Sequence, residues 1–371
     1  MDISLPTMAL AMKIVIWTGP AWETWGPQSL KTGLGGSEIA AIHMSSELAR
    51  WGHEVAVLGQ VSPCEWEGVK FHDYRMFGPG TIGCDVFISS RTLGAVHKLK
   101  PDAKITALWC HDIHVGDDYQ GLMRRYDMVL CLSEWAKKVL SNYYNDVPKD
   151  KFVLTRNGID PRLFLREPKK EGCKAIYSSS PDRGLDHLLN YWPKIRAMRQ
   201  DAELHVYYGF ETWQAMANQR KNSYDQSQID FFKSKLNQLS EQGVVSHGRV
   251  GQAELAKAYL EASLWLYPTN FLETSCLTAM EAQASGTLAI TTKLAALAET
   301  VRHGILIDPP NSESRYEQEF LGHVRDFLEN RQPITTDQML KAGREWALRS
   351  LSWTQVAGQW EELFEERLKK K

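Results

Sequence analysis

The chain has 371 residues, more than one hydrophobic core usually organises, so its length predicts two domains with a cleft between them. Its 43 Lys and Arg residues against 45 Asp and Glu residues give a formal net charge of -2, which excludes a global basic field that would recruit nucleic acid. Six cysteines without a Cys-x-x-Cys pair or zinc-ligand spacing indicate free thiols. No apolar run reaches the roughly 20 residues of a membrane helix, and the first residues lack a basic signal start, so we expect a cytoplasmic protein.

Short apolar runs alternate with longer stretches of helical periodicity from Lys13 onward, which is typical of βαβ units around a parallel sheet. In the first half the predicted strands are 13–17, 54–58, 86–89, 104–109, 128–132 and 152–155. The predicted helices of this half are 37–51, with Ser37 as the N-cap, and 134–144.

The run from Arg156 to Pro161 and the polar stretch 167–172 break both periodicities and predict an interdomain linker. The second half repeats the alternation, with predicted strands 174–178, 203–208, 244–247, 264–267, 288–291 and 304–307. Its predicted helices are 185–199, 225–242, 252–262, 274–284, 313–329, 336–349 and 353–368. The pattern therefore predicts an α/β protein of two Rossmann-like domains, 1–165 and 166–350, followed by a terminal helix in 351–371.

A glycine-rich loop containing Gly33, Gly35 and Gly36 follows the first predicted strand and runs directly into a helix. Unpaired N–H groups and the positive end of the helix dipole suit a phosphate there, and glycine lets the backbone approach closely. The loop is not a Gly-x-Gly-x-x-Gly fingerprint, so an ordinary turn before a helix is an equal reading of this segment alone.

Two glutamates, Glu273 and Glu281, are separated by seven residues near the start of a predicted helix. On a helix they would lie about 12 Å apart along the axis and about 80° apart around it, too far to act as a close pair on one atom. We expect Glu273 at the helix start, level with the N–H groups of Thr274, Ser275 and Cys276 and facing the carboxyl end of a strand. An isolated glutamate pair of this spacing would more simply be two solvated side chains.

This segment is not isolated. The pattern Tyr267-Pro268, Glu273, Glu281 and Gly286 resembles the donor-binding signature of retaining glycosyltransferases of the GT-B fold, family 4, also called glycosyl transferases group 1. Supporting motifs, in chain order, are Gly35-Gly36, Asn157-Gly158-Ile159-Asp160 and Arg183-Gly184, so the resemblance extends over essentially the whole chain.

The resemblance implies a role for each matching residue. Glu281 would bind the ribose of a nucleotide-sugar donor, Glu273 would contact hydroxyls of the transferred sugar, and Arg183 would neutralise the diphosphate. The implied donor-binding residues are Gly35, Gly36, Ser180, Arg183, Arg249, Thr274, Ser275, Cys276 and Glu281. The implied catalytic residues are Glu273 and His111, which follows a first-domain strand and would orient the sugar and the acceptor; nearby Asp112 and His114 stay open as alternatives.

The chain departs from the family pattern at two places. The family usually supplies two basic residues around the diphosphate, but here Ser178, Ser179 and Ser180 occupy the first place and only Arg183 the second. Either another basic residue such as Arg249 or Lys293 reaches the diphosphate, or its charge is neutralised more weakly. After Gly286 a threonine, Thr287, stands where the family commonly has proline.

The implied reaction is transfer with retention at the anomeric carbon, without a protein nucleophile and, since no Asp-x-Asp triplet stands at a suitable site, without an essential metal or other cofactor. The donor would be a UDP- or GDP-sugar and the acceptor a hydroxyl of a glycan or glycolipid, and no nucleic acid is expected as a partner. A lipid-linked acceptor would bring the first domain into peripheral contact with a membrane. We expect two first-domain loops to bind the acceptor: the loop with Trp22, Trp25 and Lys31, and the 64–79 segment. Trp22 and Trp25 could stack on a sugar ring or could equally be packing residues. The last helix, 353–368, resembles the family segment that crosses back to the first domain.

Three other functions stay open at this stage. A sugar-nucleotide epimerase or a phosphorylase shares the architecture, although no marked pyridoxal-phosphate lysine is present. An NAD-dependent oxidoreductase would require a different glycine fingerprint and a later acidic residue. A non-catalytic sugar- or nucleotide-binding protein is the third, and the missing basic residue is compatible with it.

Overall fold

The structure is a computed structural model of the chain that describes residues 11–113, 121–309, 312–331 and 333–371. The chain forms two compact units. The first comprises Met1–Pro27, Gly35–Asn157 and Trp353–Lys371, and the second comprises Gln28–Leu34 and Gly158–Ser352. None of the helices in the described ranges is long and apolar enough to cross a membrane.

The first unit is built on one sheet. Its strands are β1 (Lys13–Gly19), β2 (Glu54–Gly59), β3 (Cys64–Trp66), β4 (Val69–Asp73), β5 (Gly83–Ser90), β6 (Asp102–Cys110), β7 (Met128–Cys131) and β8 (Phe152–Leu154). Their order in the sheet is β3-β4-β2-β1-β5-β6-β7-β8, and only the pairing of β3 with β4 is antiparallel among the described strands. Because β1 has β2 on one side and β5 on the other, the strand order reverses between β1 and β5.

The helices of the first unit are α1 (Gly36–Arg50), α2 (Ala95–Leu99), α3 (Glu134–Tyr143) and the last helix of the chain, α12 (Trp353–Lys369). Trp360 fixes α12 to this unit, because its ring packs edge-on against Trp109 of β6 with centroids 4.8 Å apart. Its indole Nε1 donates a hydrogen bond to Thr155 Oγ1 at 2.7 Å. The terminal helix therefore contributes to the core beneath β6.

The second unit has a sheet of β9 (Lys174–Tyr177), β10 (Glu203–Val206), β11 (Val244–Ser246), β12 (Leu264–Tyr267), β13 (Leu288–Thr292) and β14 (Ile305–Ile307). The described strands pair in parallel in the order β11-β10-β9-β12-β13-β14. Its helices are α4 (Leu185–Met198), α5 (Glu211–Arg220), α6 (Ser223–Gln238), α7 (Gln252–Glu261), α8 (Leu277–Ala284), α9 (Leu297–Thr300), α10 (Glu313–Leu328) and α11 (Pro333–Ser350). This is a doubly wound α/β arrangement, whose strand order reverses between β9 and β12.

The predicted fold class is confirmed, and each predicted strand is present to within a few residues. Three local predictions are wrong. The hairpin of β3 and β4 lies in the 64–79 segment that was expected to be a loop. Ser37 lies inside α1, and Gly35 is the N-cap instead. The helix predicted for 274–284 begins only at Leu277, so Glu273 belongs to the preceding loop and the helical spacing computed for the two glutamates does not apply.

The polar stretch 167–172, expected to be a linker, is anchored in the second unit. The Lys170 ammonium donates to the carbonyl oxygens of Tyr259, Ala262 and Ser285 and to the hydroxyl of Thr287, at 2.7 to 3.3 Å. These carbonyls lie at the ends of α7 and α8, where a cation complements the helix dipoles. Burial, with the nearby Arg344 charge, lowers the pKa of Lys170 to about 7. The threonine that replaces the family proline thus helps to hold the Lys170 ammonium.

Candidate active site

The reversal of strand order in the second sheet places two loops side by side. One follows β9 and contains Ser178–Arg183, and the other follows β12 and contains Pro268–Cys276. Ligands of doubly wound folds bind outside the carboxyl ends of the strands at such a point. Gly184 shows how closely the two loops approach, because a Cβ at this residue would lie 2.3 Å from the Pro268 carbonyl oxygen. Its φ of +102° also suits glycine.

An arginine and a glutamate join these two loops. Arg183 Nη1 lies 3.0 and 3.2 Å from the two carboxylate oxygens of Glu273, and the Tyr267 hydroxyl donates to Glu273 Oε1 at 2.7 Å. Glu273 is buried, whereas the Arg183 side chain keeps a third of its surface exposed and covers the Phe271 ring at 4.2 Å. Burial acts to lower the pKa of Arg183, but the Glu273 carboxylate overrides it and raises that pKa above its ordinary value. Arg183 is therefore a fixed, permanent cation at the carboxyl edge of the sheet.

Glu281 lies in the second turn of α8 and is chemically different from Glu273. Its carboxylate makes no hydrogen bond or ion pair with the residues that the structure describes, although it is close enough to Tyr259 to influence the pKa of that phenol. Burial raises the pKa of Glu281 to about 8. A half-buried carboxyl group without a protein partner is suited to pair with hydroxyl groups of a ligand.

The residues between the two glutamates have separate environments. The Ser275 hydroxyl is buried and lacks a hydrogen-bond partner among the described residues, so it has donor and acceptor capacity to spare. Cys276 is the N-cap of α8, and its Sγ lies 3.3 Å from Thr278 Oγ1. Burial raises the pKa of the Cys276 thiol to about 12, so it is neutral and a poor nucleophile. Thr274 is buried beside them.

Tyr208 is a site residue that sequence reasoning missed. It follows β10, and its hydroxyl hydrogen-bonds to the Ser180 side chain, while burial raises its pKa. The charges of Arg183 and Arg249 both act on this hydroxyl, so both cations lie near it. The sequence offered only an aromatic residue at the end of the predicted strand 203–208, which is equally typical of a core position.

The two candidates for the second basic residue are differently placed. The Arg249 guanidinium donates from Nη2 to the Gly33 carbonyl at 2.7 Å and from Nη1 to Thr212 Oγ1 at 3.2 Å. Lys293 is half exposed and lies 3.7 Å from Asp308. Arg249, whose charge acts on the Tyr208 hydroxyl as that of Arg183 does, is therefore the better candidate for an additional positive charge.

The first unit carries His111 directly after β6. Its ring packs on Trp109 with centroids 4.5 Å apart, and burial, assisted by the Arg91 charge, lowers the pKa of His111 to about 3. The imidazole is therefore neutral at physiological pH. Asp112 forms an ion pair with Arg91 instead of with His111, and His114 lies outside the described residues.

Gly35 is the N-cap of α1 and Gly36 its first residue, and a Cβ on Gly35 would lie 2.5 Å from Glu38 Oε2. The two tryptophans of this region differ. Trp25 is buried and packs edge-on against Phe71, which makes it a core residue, whereas Trp22 is 46% exposed.

Comparison with known proteins shows which family part of the second unit matches. Residues 175–326 match the sequence model of the family described as glycosyl transferases group 1. Residues 175–326 form a glycosyl transferases group 1 domain. This domain contains Arg183, Glu273 and Glu281. Comparison with curated protein sequences gives no match.

Solved structures agree with this fold. A glycosyltransferase from Rickettsia africae superposes with a TM-score of 0.69 at 14% identity, over 97% of this chain and 99% of that one. A sucrose-phosphate synthase from Thermosynechococcus elongatus superposes with a TM-score of 0.69 at 15% identity, over 97% of this chain and 100% of that one. Anabaena HepE in complex with UDP-glucose superposes with a TM-score of 0.68 at 14% identity, over 96% of this chain and 100% of that one. At these identities the similarity shows the GT-B fold of the chain.

Proposed function

We propose that this chain is a glycosyltransferase that moves a hexosyl group, with retention at the anomeric carbon, from a UDP- or GDP-sugar to a hydroxyl of a glycan or glycolipid. The observation that carries the proposal is the pairing of Arg183 with Glu273 at the strand-order reversal of the second sheet, with the unpartnered Glu281 carboxyl in the helix that follows. Two similar structures, HepE and a pneumococcal O-GlcNAc transferase, hold UDP, which supports UDP-sugars as the first donors to try.

Each residue has a chemical part in this proposal. Arg183 stabilises the negative charge that grows on the leaving diphosphate, and Glu273 fixes the guanidinium while offering its carboxylate to sugar hydroxyls. Glu281 accepts hydrogen bonds from the ribose, and the hydroxyls of Ser180 and Ser275 together with the backbone at Thr274 and Cys276 are the polar groups offered to the donor. Gly35, Gly36 and Arg249 are proposed as further phosphate contacts.

The proposed transfer needs no protein nucleophile. The acceptor oxygen attacks the anomeric carbon from the face that the diphosphate leaves, the bond between that carbon and the phosphate oxygen breaks, and the acceptor proton passes to the departing phosphate oxygen. The neutral His111 imidazole is proposed to hydrogen-bond the sugar during this step. The positive charge that the leaving group requires comes from Arg183, so we expect turnover to persist in the presence of a chelator.

A donor panel tests the proposal. UDP-, GDP-, ADP- and TDP-sugars are added to the wild type, to Glu281→Ala and to Arg183→Ala, and the melting temperature and the released nucleoside diphosphate are measured. One donor should raise the melting temperature of the wild type, because a ligand that binds only the folded chain stabilises it, and both variants should lose that shift. Arg199→Ala and Glu319→Ala, which remove exposed charges from the same unit, are the controls and should keep it.

The outcomes separate the alternatives. A donor-induced shift without release of nucleoside diphosphate would indicate a binding protein, and interconversion of the sugar without transfer would indicate an epimerase. Retention is read from the anomeric configuration of the first product by NMR. If no donor shifts the wild type and no diphosphate is released, the proposal is wrong.

A further inference from the structure

Arg91 occupies an unusual backbone position in the first unit. It follows β5, the strand beside the point where the order of the first sheet reverses, and its φ of +64° lies in the left-handed region. A residue with a Cβ pays a conformational cost there, which glycine or asparagine largely avoids. Such strain persists only where the surrounding structure imposes it, and it concentrates at functional positions.

Arg91 holds the turn that carries His111 from both sides. Its backbone N–H donates to the carbonyl of Trp109, two residues before His111, at 3.0 Å. Its side-chain Nε donates to Asp112 Oδ2, one residue after His111, at 2.7 Å. One residue thus fixes the chain before and after the imidazole, and the Trp109 ring supports the imidazole from one side.

The same guanidinium reaches a second element. Nη1 of Arg91 donates to Ser37 Oγ at 3.2 Å, and that hydroxyl in turn donates to Glu38 Oε2 at 2.9 Å. Ser37 lies in the first turn of α1, next to Gly35 and Gly36. Arg91 therefore joins the His111 turn to the glycine loop through a planar fork whose separate N–H groups serve different acceptors.

We propose that Arg91 is a positioning residue for glycosyl transfer, which holds the His111 turn and the first turn of α1 in the relative geometry that the reaction requires. This inference rests on the proposed function. The Arg91 and Asp112 side chains are 49% and 43% accessible, so their ion pair contributes little to the stability of the fold. A role in the reaction therefore explains why the conformational cost of the left-handed backbone is retained. The positive charge also favours the neutral form of His111.

The test separates stability from turnover. Arg91→Asn removes the side-chain hydrogen bonds to Asp112 and Ser37, while asparagine suits the left-handed backbone. The melting temperature of this variant should therefore be equal to or higher than that of the wild type. The kcat for transfer should fall by about tenfold or more, since small errors in the placement of reacting groups are costly, while the donor KM stays within about twofold. Arg91→Lys keeps the charge without the fork and should recover only part of kcat.

Two further variants locate the effect. Asp112→Asn should also lower kcat. The double variant with Arg91→Asn should lower kcat no further than the more damaging single variant does, because both substitutions remove the same contact between Arg91 and Asp112. Arg124→Gln is the matched control, as it breaks an equally exposed arginine–aspartate pair, with Asp146, in the same unit and should leave kcat unchanged.

The results distinguish failure of the proposed function from failure of this inference. A wild type that turns over no donor removes the proposed function, and this inference with it. A wild type that turns over beside a fully active Arg91→Asn variant overturns the inference alone. If Arg91→Asn and Arg91→Gly both melt well below the wild type, or if Arg124→Gln loses as much kcat, the role of Arg91 is structural and the inference is wrong.

Discussion

Glu281→Gln is the substitution whose effect on stability follows most directly from the site. The folded chain raises the pKa of Glu281 from 4.5 to about 8 by burial, so it binds the proton more tightly than the unfolded chain does. The resulting stabilisation is fully present below pH 4.5 and is lost as the pH rises through 8. At 1.36 kcal/mol per pKa unit the full shift corresponds to about 5 kcal/mol, and because Glu281 is only half buried we expect about 2 kcal/mol.

The assay is denaturant unfolding of the wild type and of Glu281→Gln at pH 5, 7 and 9, without donor. At pH 5 the two unfolding free energies should be similar, because the wild-type carboxyl is protonated in the folded chain and resembles the amide. By pH 9 the variant should be the more stable by about 2 kcal/mol, since only the wild type then carries a buried charge.

Glu319→Gln, which removes an exposed carboxylate from α10 of the same unit, is the control for the loss of one negative charge. The reasoning would be refuted if the difference between the wild type and Glu281→Gln were the same at all three pH values. It would also fail if the wild type gained stability relative to the variant between pH 5 and pH 9, since that sign belongs to a carboxylate that the fold stabilises in its charged form.

Two further substitutions test packing. Gly184→Ala should destabilise the chain by about 2 kcal/mol, because φ is +102° and the new Cβ would lie 2.3 Å from the Pro268 carbonyl oxygen; an unchanged melting temperature would contradict that close approach. Trp360→Phe should cost about 2 kcal/mol by leaving the buried Thr155 hydroxyl unpaired. Adding Thr155→Val should then cost little more, and a fully additive loss in thermal unfolding would disprove the pairing.

Most strands of the two sheets could be predicted because they are short, largely apolar runs bounded by polar residues. The 264–267 prediction coincides with the observed β12, Leu264–Tyr267. The hairpin that begins at Cys64–Trp66 could not be predicted in this way, because that strand is exposed along its whole length and has no apolar pattern. Its existence depends on pairing with β4.

Site residues could be predicted where the residue type itself indicates the chemistry. They were missed where only the three-dimensional arrangement gives them a role. Arg183 and Glu273 were identified from the sequence, and the structure brings them into contact. The start of α8 was misplaced because the carbonyl of Glu273 accepts a hydrogen bond from the distant Ala296, a tertiary contact that keeps this segment out of the helix. Nothing in the sequence marks the left-handed backbone of Arg91 or the hydrogen bond of Tyr208.

The assignment of Gln28–Leu34 to the second unit has a practical consequence for anyone who wishes to dissect the protein. The chain passes from one unit to the other at four places, after Pro27, Leu34, Asn157 and Ser352. A gene fragment for Gly158–Ser352 would lack the seven residues whose Gly33 carbonyl receives the Arg249 guanidinium and whose Lys31 carbonyl lies against Gly251. A separately expressed second unit therefore needs Gln28–Leu34 grafted onto it.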